Sequence, residues 1–308
     1  MRSLDSRSSI KSAAGTAAIV ACLVVTAGQL TAAPRPDRSS NQDLLGNPTR
    51  VETALDASSS AAVLAQAGKT RDALGFPVGV KRAGKHVQNG FEQAEYDEVS
   101  ETDSAGRVTS LTQFDMNRRL RAAVRLDSPP REGPKVTRDV AIHAAQRSAL
   151  AAGLTVGVPS TTDADEATGG WTVHWARVKD GVRVRGDETR IHVWPDGRIQ
   201  SVARVEHDLA VAPSQRIGLA GATRVAVGNL DRWFANRSSG YAIQDVALQW
   251  VEPNGAFDPS RITSTPAPYR LAWVADVKPS GEASNYMWLM SLFVDAADGT
   301  IIGGDFVE

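Results

Sequence analysis

The stretch "ETRIHVWPDGRIQSVARV" (188–205) decides how this chain folds. Two runs of strand-like residues flank a Pro-Asp-Gly turn. Pro195 suits the second position of a type I turn, and Gly197 the left-handed residue that follows it. Such a three-residue loop with a bulge pairs Trp194 with Arg198, and sets Val193 opposite Ile199, Ile191 opposite Ser201 and Thr189 opposite Ala203. One face then carries Thr189, Ile191, Val193, Ile199, Ala203 and Val205. The other carries Arg190, His192, Trp194, Arg198, Gln200 and Arg204. A two-residue Asp-Gly loop would mix the two sets, so apolar segregation selects the longer turn. A helix is expected over the apolar face.

The same outline occurs in "SETDSAGRVTSL" (100–111) and "FVDAADGTIIGG" (293–304). From Gly106 to Gly197 is 91 residues and from Gly197 to Gly299 is 102, a period that suits duplicated small domains rather than a solenoid of short repeats. The expected class is α+β: tandem small modules, each a helix packed on an antiparallel sheet. The expected boundaries are a leader over 1–33, a linker over 34–49, a degenerate first module over 50–130, a second over 131–212 and a third over 213–308.

In the second module a helix is expected over 137–154. Thr137 is its N-cap, Asp139 complements the dipole in the first turn, and Gly153 is its stop. Val140, Ala144, Ala145, Ala149 and Ala152 make its small-residue stripe. Strands are expected over 171–178, 181–186, 188–194 and 198–208, with a tight turn at Asp180-Gly181 and Trp171, Val173 and Trp175 on a buried face. In the third module, Leu219, Ala222, Ala226, Leu230 and Trp233 mark a helix over 218–237. Strands follow over 241–251, 269–277, 285–295 and 300–307, with a long Pro- and Gly-rich loop after the first. The first module has a helix expected over 50–68 and strands over 91–101 and 107–115.

The N-terminus has the layout of an export signal. Arg2, Arg7 and Lys11 precede an uncharged run from Ala13 to Ala33, and the Pro- and Ser-rich "APRPDRSSNQ" (33–42) follows. Cleavage near Ala33 is the preferred fate. The alternatives are lipid attachment at Cys22, which ends the lipobox-like "IVAC" (19–22), and retention as a membrane anchor. The expected location is therefore secreted, periplasmic or cell-envelope. Cys22 is the only cysteine, which excludes an internal disulfide and any cysteine-built metal site. With 34 basic against 35 acidic residues, no nucleic-acid partner is expected, and membrane contact only through the N-terminal segment.

The run "TRDVAIHAAQRSAL … VKDGVRVRGDETRIHVWPDGRIQSV" resembles the PepSY and FTP (fungalysin/thermolysin propeptide) modules. "YRLAWVADV … YMWLMSLFVDAADGTIIGG" is similar to a second such module, with Val294, Asp295, Ala296 and Gly299 in the pattern. The resemblance covers about residues 135–308 and, more faintly, 70–115. It implies a helix on an antiparallel sheet and the binding of a protease domain as inhibitor or folding aid. His-Glu-x-x-His, the zinc site of the proteases such modules precede, is absent.

No other constellation points to catalysis. The five histidines (86, 143, 174, 192 and 207) include no pair at helical metal-binding spacing. "EHD" (206–208) reads as a polar strand end and "TDADE" (162–166) as a solvated acidic loop without the glycine of a calcium site. Catalytic residues, metals and cofactors are therefore expected to be none. The cationic strip Arg190, His192, Trp194, Arg198 and Arg204 has two readings: a partner-contact face, as Arg and Trp are enriched at interface hot spots, or an ordinary solvated sheet face. The functional expectation is an exported non-catalytic protein that binds another protein, such as a secreted metalloprotease. An envelope ligand- or peptide-binding module is the alternative, and a hydrolase with a scattered site the third reading.

Overall fold

The computed structural model describes residues 50–88, 94–128, 134–210, 215–233, 241–254, 268–279 and 289–307. The expected leader with Cys22, the linker, and parts of the expected elements at 91–93, 234–237 and 285–288 lie outside these residues, as does most of the long loop of the third module. No helix among the described residues is long and apolar enough to cross a membrane. The chain divides into two compact units, residues 1–52 with 86–95, and residues 53–85 with 96–308. The first holds most of strand β1 (Arg50–Thr53), while every other element lies wholly or mainly in the second.

The larger unit repeats one plan three times: a helix, then four strands. The first round is α1 (Ala57–Leu74), β2 (Val80–Gln88), β3 (Ala94–Thr102), β4 (Val108–Asp115) and β5 (Leu120–Arg125). The second is α2 (Arg138–Ala151), β6 (Thr161–Asp165), β7 (Gly170–Lys179), β8 (Val182–Val193) and β9 (Ile199–Val205). The third is α3 (Leu219–Trp233), β10 (Tyr241–Val251), β11 (Arg270–Pro279), β12 (Leu289–Asp295) and β13 (Ile301–Val307). The protein is α+β, with a large, mostly antiparallel sheet and helices against it.

Local chemistry sets the helix ends. α1 starts seven residues later than expected, because Asp56 caps it by accepting from the Ser59 amide (2.9 Å) and from the Ser58 and Ser59 hydroxyls. The β-branched Val51 and Thr53 before it belong to β1 instead. α1 runs past residue 68 to Gly75, whose left-handed backbone closes it. α2 has the expected Thr137 cap, but its stripe is Ala141, Ala144, Ala145 and Ala149, with Val140 exposed. On α3, Ala222, Ala226 and Leu230 are buried and Leu219 is exposed.

α1 and α2 pack into one shared core. Val63, Ala67 and Leu74 join Ala141, Ala145 and Ala149 above Val99, Phe114, Val173, Ile191, Val193 and Val202. Alanines at the contact let the helices approach the sheet closely, and each fully buried Val or Ile beneath contributes about 1.5–3 kcal/mol. α3 has a separate core with Ala275, Val277, Leu292 and Val294. β5 pairs with β9 (Ala123 opposite Val202), which welds the first sheet to the second.

The 188–205 hairpin has the expected turn. Trp194 N–H donates to the Arg198 carbonyl (2.8 Å), Gly197 N–H donates to the Trp194 carbonyl (2.9 Å), and Gly197 has φ +87°. Two residues on, the register departs from expectation. A bulge at Gln200 sets Ile191 opposite Val202 and Thr189 opposite Arg204. The larger Val202 thereby reaches the core in place of Ala203, and Arg204 moves to the helix-facing side. The Asp180-Gly181 turn is as expected, with Lys179 opposite Val182 and both turn residues at positive φ.

The segments 181–186 and 188–194, expected as two strands, are one. β8 runs from Val182 to Val193 through Gly186, at φ +80°. β7 pairs with one edge of β8 on both sides of the glycine, at Val182 and Arg183 and again from Glu188 to Val193, with an irregularity opposite Val184–Asp187; the other edge is divided. After the glycine that edge pairs with β9, and before it Arg183 and Val184 pair in parallel with Gln249 and Trp250 of β10. Arg185 reinforces the junction through Asp305 (2.6 Å) and the Ser291 hydroxyl (3.0 Å), lying over the Phe293 ring. Asn254 bonds along the edge of β13 that no other described strand pairs. Its amide N–H donates to the Ile302 carbonyl, and its side chain exchanges two bonds with the Gly304 backbone, all at 3.0 Å.

Gly186→Ala tests the bend. A Cβ there meets nothing closer than the Tyr269 hydroxyl at 3.5 Å, so the cost is conformational, about 1–2 kcal/mol. Urea denaturation is expected to show a lowered midpoint with an unchanged slope.

Candidate functional site

The five residues of the expected cationic strip do not share an exposed face. Trp194 is 1% exposed. The Arg125 and Arg198 guanidiniums lie over its ring (5.5 and 4.9 Å), and Arg125 also lies over Phe76. Asp127 bridges the two arginines (2.8 and 3.6 Å), and Asp196 holds Arg198 at 2.5 Å. His192 is buried, with its ring nitrogens against the Thr172 and Thr168 hydroxyls (3.0 and 3.1 Å). Burial pushes its pKa down, and the Asp165 carboxylate nearby opposes this. Arg190 is half-buried and paired with Glu188, which also faces His174. Arg204 is on the opposite side of the sheet, for the parity reason given above.

Arg204 instead lines a groove of about 850 Å³ on the helix-facing side. α2 ends at Ala151, but β7, β8 and β9 continue, and the buried Trp175 with the half-buried Thr189 and Arg204 forms the floor. The chain after α2 makes one wall. Trp175 Nε1–H and the Gln146 amide both donate to the Gly157 carbonyl (3.1 and 3.3 Å), which fixes that wall and leaves Val158 exposed on it. Ala176–Val178 of β7, beyond the reach of β6, line the groove as well. The turn between β4 and β5 makes the opposite wall. Asp115 N–H donates to the Arg119 carbonyl (2.9 Å), and the Asp115 carboxylate accepts from the Asn117 and Arg119 amides (2.9 and 2.8 Å) and from Arg119 Nε (2.7 Å). The Gln66 side chain donates to the Arg118 carbonyl, anchoring this turn to α1.

An ion cluster closes the inner end. Glu206, just past β9, is ion-paired with three arginines: Arg177 (3.3 Å), Arg119 (3.6 Å) and Arg204. Burial, with the adjacent Arg119 and Arg177 charges, pushes the Arg204 pKa down, while Asp115 and Asp187 oppose it. Asp187, at the bend of β8, is buried and accepts from Arg177 Nη1 (2.9 Å), the His207 amide (2.9 Å) and the His207 ring Nδ1 (2.5 Å). His207 stacks flat on Tyr269 from the third repeat (4.6 Å between centroids). Burial alone would raise the Asp187 pKa, but the His207 and Arg177 donors outweigh it and hold it below the usual carboxylate range. The segment "EHD" is thus more than a polar strand end: Glu206 and His207 enter one carboxylate–cation network, joined through Arg177. "TDADE" is not a loop, since Thr161–Asp165 is strand β6 and Asp165 caps the following turn through the Ala167 amide and the Thr168 hydroxyl.

Chemically, the groove offers guanidinium donors to an anion beside valine surface. Among the described residues no group of three or more His, Cys, Asp or Glu side chains is placed to hold a metal ion. No family model matches the chain, and no curated protein does. Among solved structures it is similar to the Bacillus megaterium YpeB C-terminal domain. The likeness has 10% identity and a TM-score of 0.43, and covers 83% of this chain and 99% of that one.

Asp187→Asn leaves Arg177 without its buried counter-charge and is expected to cost about 3 kcal/mol or more at neutral pH. The folded pKa of Asp187 lies below the unfolded value of about 3.9, so its contribution is complete above that value and is lost as pH falls through the folded one. Denaturation of wild type and variant across pH should therefore show a constant gap above about pH 5 that narrows below about pH 4.

Proposed function

We propose that this chain is an exported, non-catalytic protein of PepSY- and FTP-like modules that binds another protein, such as a secreted metalloprotease, as inhibitor or folding aid. The observation that carries the reading is the groove. Segments of two repeats converge on it, its arginines and carboxylates are engaged with one another, and its rim bears Val158 and Val178, 91% and 59% exposed. Arginine beside exposed aliphatic surface, next to a strand edge that β6 does not reach past Ala176, is the composition of a protein-contact site rather than of a bond-making one. The resemblance of residues 135–308 to propeptide modules supports the same reading and supplies the protease as the partner to try first. The N-terminal layout supports export to the envelope or beyond.

A second reading, an envelope module for a small ligand or peptide, is favoured by the groove volume, which lies within the range of ligand clefts.

The purified chain mixed with thermolysin-type proteases is expected to form a complex visible by size-exclusion chromatography and to lower or delay protease activity. Absence of both across several such enzymes removes the protease. A thermal shift with small ligands in place of any protein complex would favour the second reading.

A further inference from the structure

The turn that walls the groove is built twice in this molecule. Asp103 and Arg107 flank a three-residue loop in which Asp103 N–H donates to the Arg107 carbonyl. The Asp103 carboxylate accepts from the Ala105 and Arg107 amides and from Arg107 Nε, at 2.8–2.9 Å. The Asp115–Arg119 turn has the same bonds at the same places. They differ at the left-handed position, which is Gly106 (φ +76°) in one and Arg118 (φ +59°) in the other. An L-residue there carries a conformational penalty that glycine avoids, and a strained backbone kept by a long cationic side chain points to use of that side chain.

Arg118 is exposed and lies at the mouth of the groove, and its guanidinium has no hydrogen bond or ion pair among the described residues. Behind it, Arg119 is shared by Asp115 and Glu206, Arg177 by Asp187 and Glu206, and Arg204 rests on Glu206. The other acid on the lining, Glu188, is engaged by Arg190 and His174. Counting Arg118, four guanidiniums face the three carboxylates Asp115, Asp187 and Glu206, so the groove carries one positive charge in excess, at its mouth, with Val158 and Val178 beside it. We propose that it binds an extended acidic peptide segment of a partner protein, whose carboxylates meet Arg118 and the inner arginines while its aliphatic side chains cover the valines. This rests on the protein-binding reading and names the chemistry that the site selects.

Fluorescence anisotropy with the purified chain and a labelled Asp-Glu-Val-Asp-Val peptide, beside its Asn-Gln-Val-Asn-Val isostere, tests the assignment. The acidic peptide is expected to bind about tenfold more tightly, with affinity falling as salt rises. Arg118→Gly should weaken it about fivefold while Tm stays level or rises, since glycine is what the sister turn uses. If that variant melts lower, Arg118→Asn, which also accepts the left-handed conformation, is read in its place. Equal affinity for the two peptides, or unchanged binding by the variant, overturns the proposal. Displacement by inorganic phosphate at concentrations equal to the peptide's also overturns it, as that marks a site for small anions. A partner protein that binds wild type and Arg118→Gly alike, with the acidic peptide inert, removes the groove while leaving the protein-binding reading in place.

Discussion

One strand with a divided edge holds the molecule together. The backbone groups along both sides of a central strand have to be hydrogen-bonded, and β8 meets this demand on its divided side with two different partners, β10 before Gly186 and β9 after it. The bend at the glycine is what allows the change of partner. Where the sheet forks, regular ladder bonding stops, and side chains take over. The Asp187 carboxylate receives the His207 amide that has no strand partner there, and Arg177 balances its charge. The buried ion cluster is thus a local consequence of the fork, and the third repeat is attached through it by the His207–Tyr269 stack and by Arg185.

The groove has a similarly simple origin. Helices rise about 1.5 Å per residue and strands about 3.3 Å, so a short helix cannot cover a long strand. α2 stops at Ala151, and the sheet beyond it is lined by the buried Trp175 and the half-buried Thr189 and Arg204. A hydrophobic floor there would be an aggregation hazard. The chain instead places arginines across it and holds them with Asp115, Asp187 and Glu206, which keeps the surface polar.

How much of this can be read from the residues varies by feature. Turns closed by glycine are visible, because few other residues accept the left-handed conformation, and so Gly106, Gly197 and Gly299 expose the triple hairpin. The Asp115–Arg119 turn is hidden for the same reason: Arg118 occupies the position that glycine would announce. The α+β class follows from periodicity and the start of α2 from Thr137, whereas the Asp56 cap of α1 lies inside a stretch that reads as continuous helix from residue 50. The bulge at Gln200 is not legible, since "SVARV" offers both Val202 and Ala203 to the core, and only packing of the full interior selects the larger. Nor is the fork. The parallel pairing of β8 with β10 joins segments far apart in sequence, with no local signal in either. The strip expected on one face was therefore distributed over two. The ion cluster draws on β5's turn, β7, β8 and the exit of β9, and no spacing along the chain foretells it.

Asn254 takes up backbone groups along the outer edge of β13. A sheet that grows by adding helix-and-strand rounds always has one more row of unpaired amides and carbonyls to offer, and a further round, a neighbouring molecule or a fibril could continue it with equal ease. By turning a side-chain amide onto the backbone of Gly304 and its own N–H onto Ile302, Asn254 occupies groups that such an addition would use. Anything pairing there would first have to displace that residue, so a single side chain makes the edge a poorer template.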